Sequence, residues 1–407
     1  MNQKHKCRAA HPILAWIPTL GAEAVKFHNV INNELCSTAS TRHSINPADK
    51  RPNPEVPVSA RKDVNRAAYA AQAAFNHWRK NSFDKRRAAL FAYADAIYNN
   101  AQEFSKLLTM EQGKPLTQSL TEVAMASAWI RGMTTIEVPV TVLEETENRK
   151  VIRRYTPIGF IGAIVPWNFP VALAMGKIVP ALYTGCIIIV KPSLFALCLT
   201  GEDTLGPMIT EHPGIDKIGF TGSIATGKLV IASCARALKR VSLELGGNDP
   251  CIICDDVDVD AVVAKVAILS YLCSSQICMM TKRLYVHEKI YDQFFAKFVD
   301  FVKHLKVGNG TEPDTFFSPS ALGGTIEHSA GYFIHPTIID NPPETSRVVQ
   351  EEPFAPILPI MKWSNDDNVL ARANALETGL GASVWSNGLE RAHRMADQLQ
   401  AGCVWRF

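Results

Sequence analysis

The stretch YTPIGFIGAIVPWNFPVALAMGKIVPALYTGCIIIV, residues 155–190, decides how this chain folds. It holds a single charge, Lys177, and is apolar enough to suggest a membrane span. Pro157, Pro166, Pro170 and Pro180 interrupt it, with Gly159, Gly162, Gly176 and Gly185 among them. Proline removes a backbone donor and clashes with the preceding turn, so the ~20 helical residues that a bilayer demands do not survive. Buried strands at 160–165 and 187–190, with a packed helix at 173–182 between them, are the better reading.

Working outward, further apolar runs lie at 217–220 and 240–243, with a helical segment at 225–238. Near-continuous apolar strands alternating with helices indicate an α/β fold with a parallel sheet covered on both faces. In such sheets ligands bind beyond the carboxyl ends of the strands. Asn168, Lys191, Thr221-Gly222 and Glu244 fall there. Upstream, the Pro- and Asn-rich 46–58 reads as loop. From 62 to 113 the spacing of Val64, Ala67, Ala68, Ala71 and Phe75, then Leu90, Ala94 and Ile97, is helical, and Gly113 before Pro115 is a normal stop. A helix at 116–132 follows, then strands at 138–142 and 150–155 joined by the acidic turn 144–147. A second α/β segment begins near Asn248. Its expected strands are 250–254, 284–287, 357–362, 380–385 and 403–405; its helices are 261–272, 290–305, 369–375 and 389–399.

At 407 residues the chain exceeds one small core, and two or three domains are expected. A content of 47% hydrophobic and 20% charged residues is enough for a well-buried globular interior and argues against disorder of the chain as a whole. Lys and Arg total 42 against 39 Asp and Glu, with no basic stripe, which argues against nucleic acid as a partner. Ten cysteines without regular spacing fit a reducing compartment, and the cytoplasm is expected. The first 22 residues carry Lys4, Lys6 and Arg8 and no acid, but Pro12 and Pro18 break the apolar run. Residues 1–26 therefore read as an unstructured extension rather than a transit peptide.

Two segments carry chemistry. Glu244 lies in Leu243-Glu244-Leu245-Gly246-Gly247, after an apolar strand, and Cys278 lies 34 residues on, in Ser275-Gln276-Ile277-Cys278-Met279. A thiolate nucleophile and a separate general base are what a reaction needs to make and then hydrolyse a thioester. On type alone, a lone cysteine is more often a small buried hydrophobe, and a lone glutamate a solvated charge. Glu244, set between leucines, is expected to have a raised pKa, and Cys278 to need local amides or charge to ionise. Cys251-x-x-Cys254 with Cys273 and Cys278 has the residue types of a structural zinc site. Residues three apart in a strand point to opposite faces, so a shared metal is not expected.

With Pro166-Trp167-Asn168-Phe169-Pro170, Phe220-Thr221-Gly222-Ser223, Glu111-Gln112-Gly113-Lys114-Pro115 and Gly379-Leu380-Gly381-Ala382-Ser383-Val384-Trp385, these segments resemble the aldehyde dehydrogenase superfamily, of a fungal or bacterial kind. The resemblance runs from about Phe27 to Trp405. It implies a Rossmann-like cofactor domain (27–135 and 156–246), a bridging hairpin used for oligomers (136–155) and a second α/β catalytic domain (247–407). It implies attack of Cys278 on a small-molecule aldehyde, hydride transfer to NAD or NADP, and thioester hydrolysis by water that Glu244 activates, in a homo-oligomer. Asn168 and the backbone N–H of Cys278 would form the oxyanion hole. Trp167, Lys191 and Ser193 join the cofactor set, with the lysine on the adenosine ribose. Gly222, Ser223 and Gly227 would place a helix N-terminus at the pyrophosphate, and Glu352 and Phe354 would hold the nicotinamide ribose and ring.

The same resemblance marks departures. Only 28 residues separate Lys191 from Phe220, so one βα unit is expected to be missing. A second gap is expected near 318–322, and the chain ends at Phe407, before a closing loop and strand that the family carries. Cys273 and Ser275 replace the usual Asn and Gly, Ala355 a Gly, and Leu194 a ribose-binding Glu. A catalytically impaired relative without a complete cofactor sheet is the alternative.

Overall fold

The computed structural model describes residues 27–192, 204–319 and 331–407. Two small antiparallel pairs open it: β1 (Asn29–Ile31) with β2 (Glu34–Cys36), and β3 (Ser40–Arg42) with β4 (Val56–Val58). Four helices follow, α1 (Arg61–Trp78), α2 (Phe83–Asn99), α3 (Ala101–Gln112) and α4 (Leu116–Met133). The Asp63 carboxylate accepts from the Ala60 N–H to start α1, and Ser82 caps α2 by accepting from Lys85 N. Gly113 ends α3 in the left-handed region (φ 80°), where a Cβ would press on the Pro319 carbonyl at 2.7 Å. The hairpin of β5 (Thr141–Glu145) and β6 (Lys150–Arg153) stands out from the body, with Val142, Leu143 and Ile152 exposed.

The deciding stretch forms β7 (Phe160–Ile164), α5 (Pro170–Tyr183) and β8 (Ile187–Lys191). After them come α6 (Leu205–Thr210), β9 (Lys217–Thr221), α7 (Ile224–Ala235) and β10 (Arg240–Glu244). Among the described residues these four strands make one parallel sheet of order β10-β9-β7-β8. Alternation along the strands sends Phe160, Ile164, Ile187 and Ile189 to the face under α1, and Ala163, Val165 and Val190 to the face packed by α2–α5. The strand order reverses at β7, where β8 and β9 leave to opposite sides, so the open crevice lies beyond Ile164 and Thr221.

The second half contains β11 (Pro250–Ile253), α8 (Val259–Tyr271), β12 (Arg283–His287), α9 (Glu288–Lys303), β13 (Thr337–Asp340), α10 (Arg347–Gln350), β14 (Ile357–Trp363), α11 (Asp366–Ala373), β15 (Gly381–Trp385), α12 (Leu389–Ala396) and β16 (Cys403–Arg406). All six strands run parallel, in the order β13-β14-β12-β11-β15-β16. One face is packed by α8 and α9 through Val266, Phe294 and Phe298, the other by α11 and α12 through Val369 and Met395.

The larger elements fall where their periodicity places them. Differences have local causes. The helical region 62–113 is three helices, because Ser82 and Asn100 start new ones. Strand β5 begins at Thr141 and takes in Glu144 and Glu145, so the acidic turn is shorter than expected. β4 lies inside the stretch read as loop; a three-residue strand carries no usable period. Helix α8 stops at Tyr271, not 272, for a reason tied to the site. The places where a βα unit and a helix are expected to be missing coincide with 193–203 and 320–330, outside the described residues, as are Ser193, Leu194 and residues 1–26.

Candidate active site

β7 delivers the turn Pro166–Pro170 to the crevice, and Val165 N donates to the Lys191 carbonyl (3.1 Å), which ties the ends of β7 and β8 together. Asn168 is buried there. Its side-chain Nδ2 donates to the Gln276 carbonyl at 3.0 Å, two residues before Cys278. An amide NH2 has two donors, so one remains for a ligand oxygen.

The segment leading to Cys278 is built by a turn that breaks α8. Cys273, Ser274 and Ser275 hold φ of 52°, 54° and 59°, three consecutive left-handed residues without a glycine. Each such residue costs about 1–3 kcal/mol and persists only when its surroundings fix it. Here they do. Cys273 N donates to Gln118 Oε1 (2.9 Å), Ser274 Oγ donates to the Ser318 carbonyl (3.0 Å), and Ser275 Oγ donates to the Ser270 carbonyl (2.7 Å). The Lys282 ammonium donates to the Ser275 carbonyl.

Cys278 emerges half-buried from this turn. Burial pushes its thiol pKa up, and the carboxylates of Glu352, Glu244 and Asp249 push the same way, against a backbone N–H that stabilises the thiolate. Glu352 is itself pushed up to about 7 by burial, opposed by the Lys282 charge, and its Oε1 is buried without a partner. Its carboxyl lies against Gly246, where any Cβ would collide with it. Asp249 is also pushed up to about 7 by burial, and Lys282, 1% exposed, is pushed down by the same cause.

Glu244 corrects one expectation. Its leucine neighbours do not enclose it: β10 is an edge strand, and the Glu244 side chain is exposed at its end. Lys177 of α5 lies nearby, with Nζ donating to Thr221 Oγ1 at 2.5 Å; burial pushes it down to about 8, and the Glu244 charge opposes that.

Several of the residues expected to hold a dinucleotide lie at the same crevice; Ser193 falls outside the described residues. Trp167 meets Phe354 edge-on, with ring centroids 5.6 Å apart, and the Lys282 ammonium lies 5.1 Å from the Phe354 centroid. Phe354 is itself left-handed (φ 43°). Ser223 caps α7, its Oγ accepting from Thr226 N at 3.3 Å. A Cβ on Gly222 would come within 2.6 Å of the Phe220 ring, and one on Gly227 within 2.6 Å of Leu245. Both glycines thus let the chain pack closely at the helix N-terminus that faces the crevice. Lys191 ends β8, beside Ile164. An orphaned buried carboxyl oxygen on Glu352 and a glycine-lined helix start make this crevice fit a dinucleotide.

Sequence reading passed over several charged groups. Lys177 is the single charge in the deciding stretch, and that isolation was the available signal. Lys114, Glu122, Asp249 and Lys282 are all buried near the site; Lys114 and Glu122 reach the distant turn 168–172, Lys282 bonds the nearby Ser275 carbonyl, and the Asp249 carboxylate oxygens have no hydrogen-bond partner. The cysteine pair behaves as strand geometry requires: Cys251 packs on the α8–α9 side and Cys254 on the other, with its Sγ 3.8 Å from Met395 Sδ. Beside the nucleophile turn is a cavity of about 270 Å³ lined by Leu272, Ile277, Met279, Trp405 and Phe407; Asp249 is its one charged side chain.

Comparison with known proteins agrees with this picture. The sequence model of the Aldehyde dehydrogenase family matches residues 36–200, 194–321 and 320–406. Aldehyde dehydrogenase LUC3 of Fusarium sp. is 32% identical over 424 residues, spanning 93% of this chain and 90% of its own. Among solved structures, the NAD+ complex of an aldehyde dehydrogenase from Bacillus cereus superposes with a TM-score of 0.90 at 27% identity, covering 94% of this chain and 88% of that one. An NADP-dependent enzyme of E. coli gives 0.89 at 27% identity, covering 94% and 90%.

Proposed function

The chain belongs to the aldehyde dehydrogenase family, which oxidises aldehydes to carboxylic acids with NAD+ or NADP+, and from that premise we propose how its own residues do so. One observation carries the assignment: the Asn168 amide is bonded into the Cys278 turn through Gln276, so an oxyanion donor and the nucleophile share one rigid unit. The Cys278 thiolate forms a C–S bond to the aldehyde carbon while the carbonyl electron pair moves to oxygen. That oxygen accepts from Asn168 Nδ2 and the Cys278 N–H, donors worth about 2.7–4 kcal/mol each in comparable sites. Bound NAD+ or NADP+ supplies the hydride acceptor that makes the thioester accessible. Trp167, Lys191, Ser193, Gly222, Ser223, Gly227, Glu352 and Phe354 would hold it. Glu244 then takes a proton from water, the water oxygen adds to the thioester carbonyl, and the C–S bond breaks to release the acid and regenerate the thiolate.

Coverage of about nine-tenths of LUC3 argues against a catalytically impaired relative. The cavity beside the turn, lined mostly by apolar side chains, favours an apolar aldehyde. The proposal keeps the domain limits read from the sequence, a cofactor domain at 27–135 and 156–246, a hairpin at 136–155 and a catalytic domain at 247–407. No helix among the described residues is long and apolar enough to cross a membrane; a cytoplasmic location belongs to this proposal through the ten scattered cysteines. The test of the base is Glu244→Gln. It should give one equivalent of NAD(P)H in a burst and then a stalled acyl-enzyme; undiminished steady-state turnover would refute the assignment.

A further inference from the structure

We infer that the buried Lys114–Glu122 pair is a positioning device for the oxyanion donor, holding the Asn168 backbone while its side-chain amide is bonded to Gln276. This rests on the assignment of Asn168 proposed above. Lys114 follows the left-handed Gly113 at the end of α3, and Glu122 lies nearly two turns into α4; they are 4% and 0% exposed. Lys114 Nζ donates to Glu122 Oε2 at 2.5 Å and to the Asn168 carbonyl at 2.8 Å, and sits 3.7 Å from the centroid of the Phe169 ring. The other carboxylate oxygen, Oε1, accepts from Val171 N (2.9 Å) and Ala172 N (3.2 Å), the unpaired donors in the first turn of α5. One ion pair therefore grips the turn at Asn168, Phe169 and the start of the following helix.

The geometry leaves Asn168 little freedom. Its backbone carbonyl is held by Lys114, its side-chain amide by Gln276, and the helix that follows it is tethered through Glu122. No other charge is needed to explain the pair, and a buried pair is poor evidence for a gain in stability by itself. Its value lies in placement, because a shift on the order of 1 Å in a positioned group can cost about 10²-fold in rate. Lys114 touches no reacting atom, so it is a positioning residue and not a catalytic one.

The test is a double-mutant cycle on kcat for aldehyde oxidation. Lys114→Met should lower kcat by about 10–100-fold in the native background. It should lower it by less than about threefold in an Asn168→Ala background, because the group being placed is gone. KM for the cofactor and the rate of iodoacetamide labelling of Cys278, which needs no oxyanion hole, should stay within about twofold. Should Lys114→Met fail to fold, Lys114→Met with Glu122→Gln removes both charges, keeps the Oε1 acceptor for α5, and is expected to show the same cycle. Equal losses in both backgrounds, or no loss at all, would overturn the inference. If Asn168→Ala alone keeps native activity, the oxyanion assignment falls, and that result is distinct from a native-like Lys114→Met.

Discussion

Cys278 stands among carboxyl groups, and that surrounding sets its reactivity. Burial is the largest cause of its raised pKa and Glu352 the next. Glu352, pushed up to about 7, becomes charged as pH rises through neutrality, and so opposes the thiolate where thiolate would otherwise form. Glu352→Gln should therefore speed alkylation of Cys278 by iodoacetamide above neutrality and lower the apparent pKa of that reaction; an unchanged or higher value would contradict the electrostatic account. At this scale the sequence is most legible where a proposed role is local. Cys278 and Glu244 sit in short segments whose composition announces them. Lys114 reaches Asn168 and Glu122 reaches Val171 and Ala172 across long stretches of chain, as Asn168 reaches Gln276, and no local pattern reports such contacts.

Among the elements, the turn at 272–275 is the most specific device. It was invisible in the sequence because left-handed turns usually advertise a glycine, and this one uses Cys-Ser-Ser with hydroxyl bonds in place of glycine. Ser275→Ala removes the bond to the Ser270 carbonyl but keeps the φ of 59°, and should cost about 1–2 kcal/mol. Ser275→Gly loses the same bond but relieves the backbone, so it should be the less costly change in urea unfolding; an alanine variant at least as stable as the glycine variant would contradict this. The apolar strands and amphipathic helices were legible because burial repeats along them. In α9, Phe294 and Phe298 lie four apart on its buried face, and Phe298→Ala should cost about 3–5 kcal/mol without changing KM for the cofactor.

For the whole molecule, two parallel sheets meet at a crevice that concentrates buried ionisable groups, and stability should follow pH accordingly. Asp249 keeps its proton in the folded state up to about 7, whereas the unfolded chain loses it near the usual 3.8. Between those values the folded state binds more protons, so this group makes stability fall as pH rises. Lys177 works in the opposite sense: between about 8 and the usual 10.5 the unfolded state holds the extra proton, and stability rises with pH. Asp249→Asn should flatten the first slope in urea midpoints and leave the second; retention of the native slope would show that Asp249 does not carry it. The measurement that bears most directly on the central claim is aldehyde-dependent NAD(P)H formation by the purified chain, with both cofactors, beside Cys278→Ala. The account requires turnover in the native chain and none in the variant; equal turnover in both, or none from folded native protein, would contradict it.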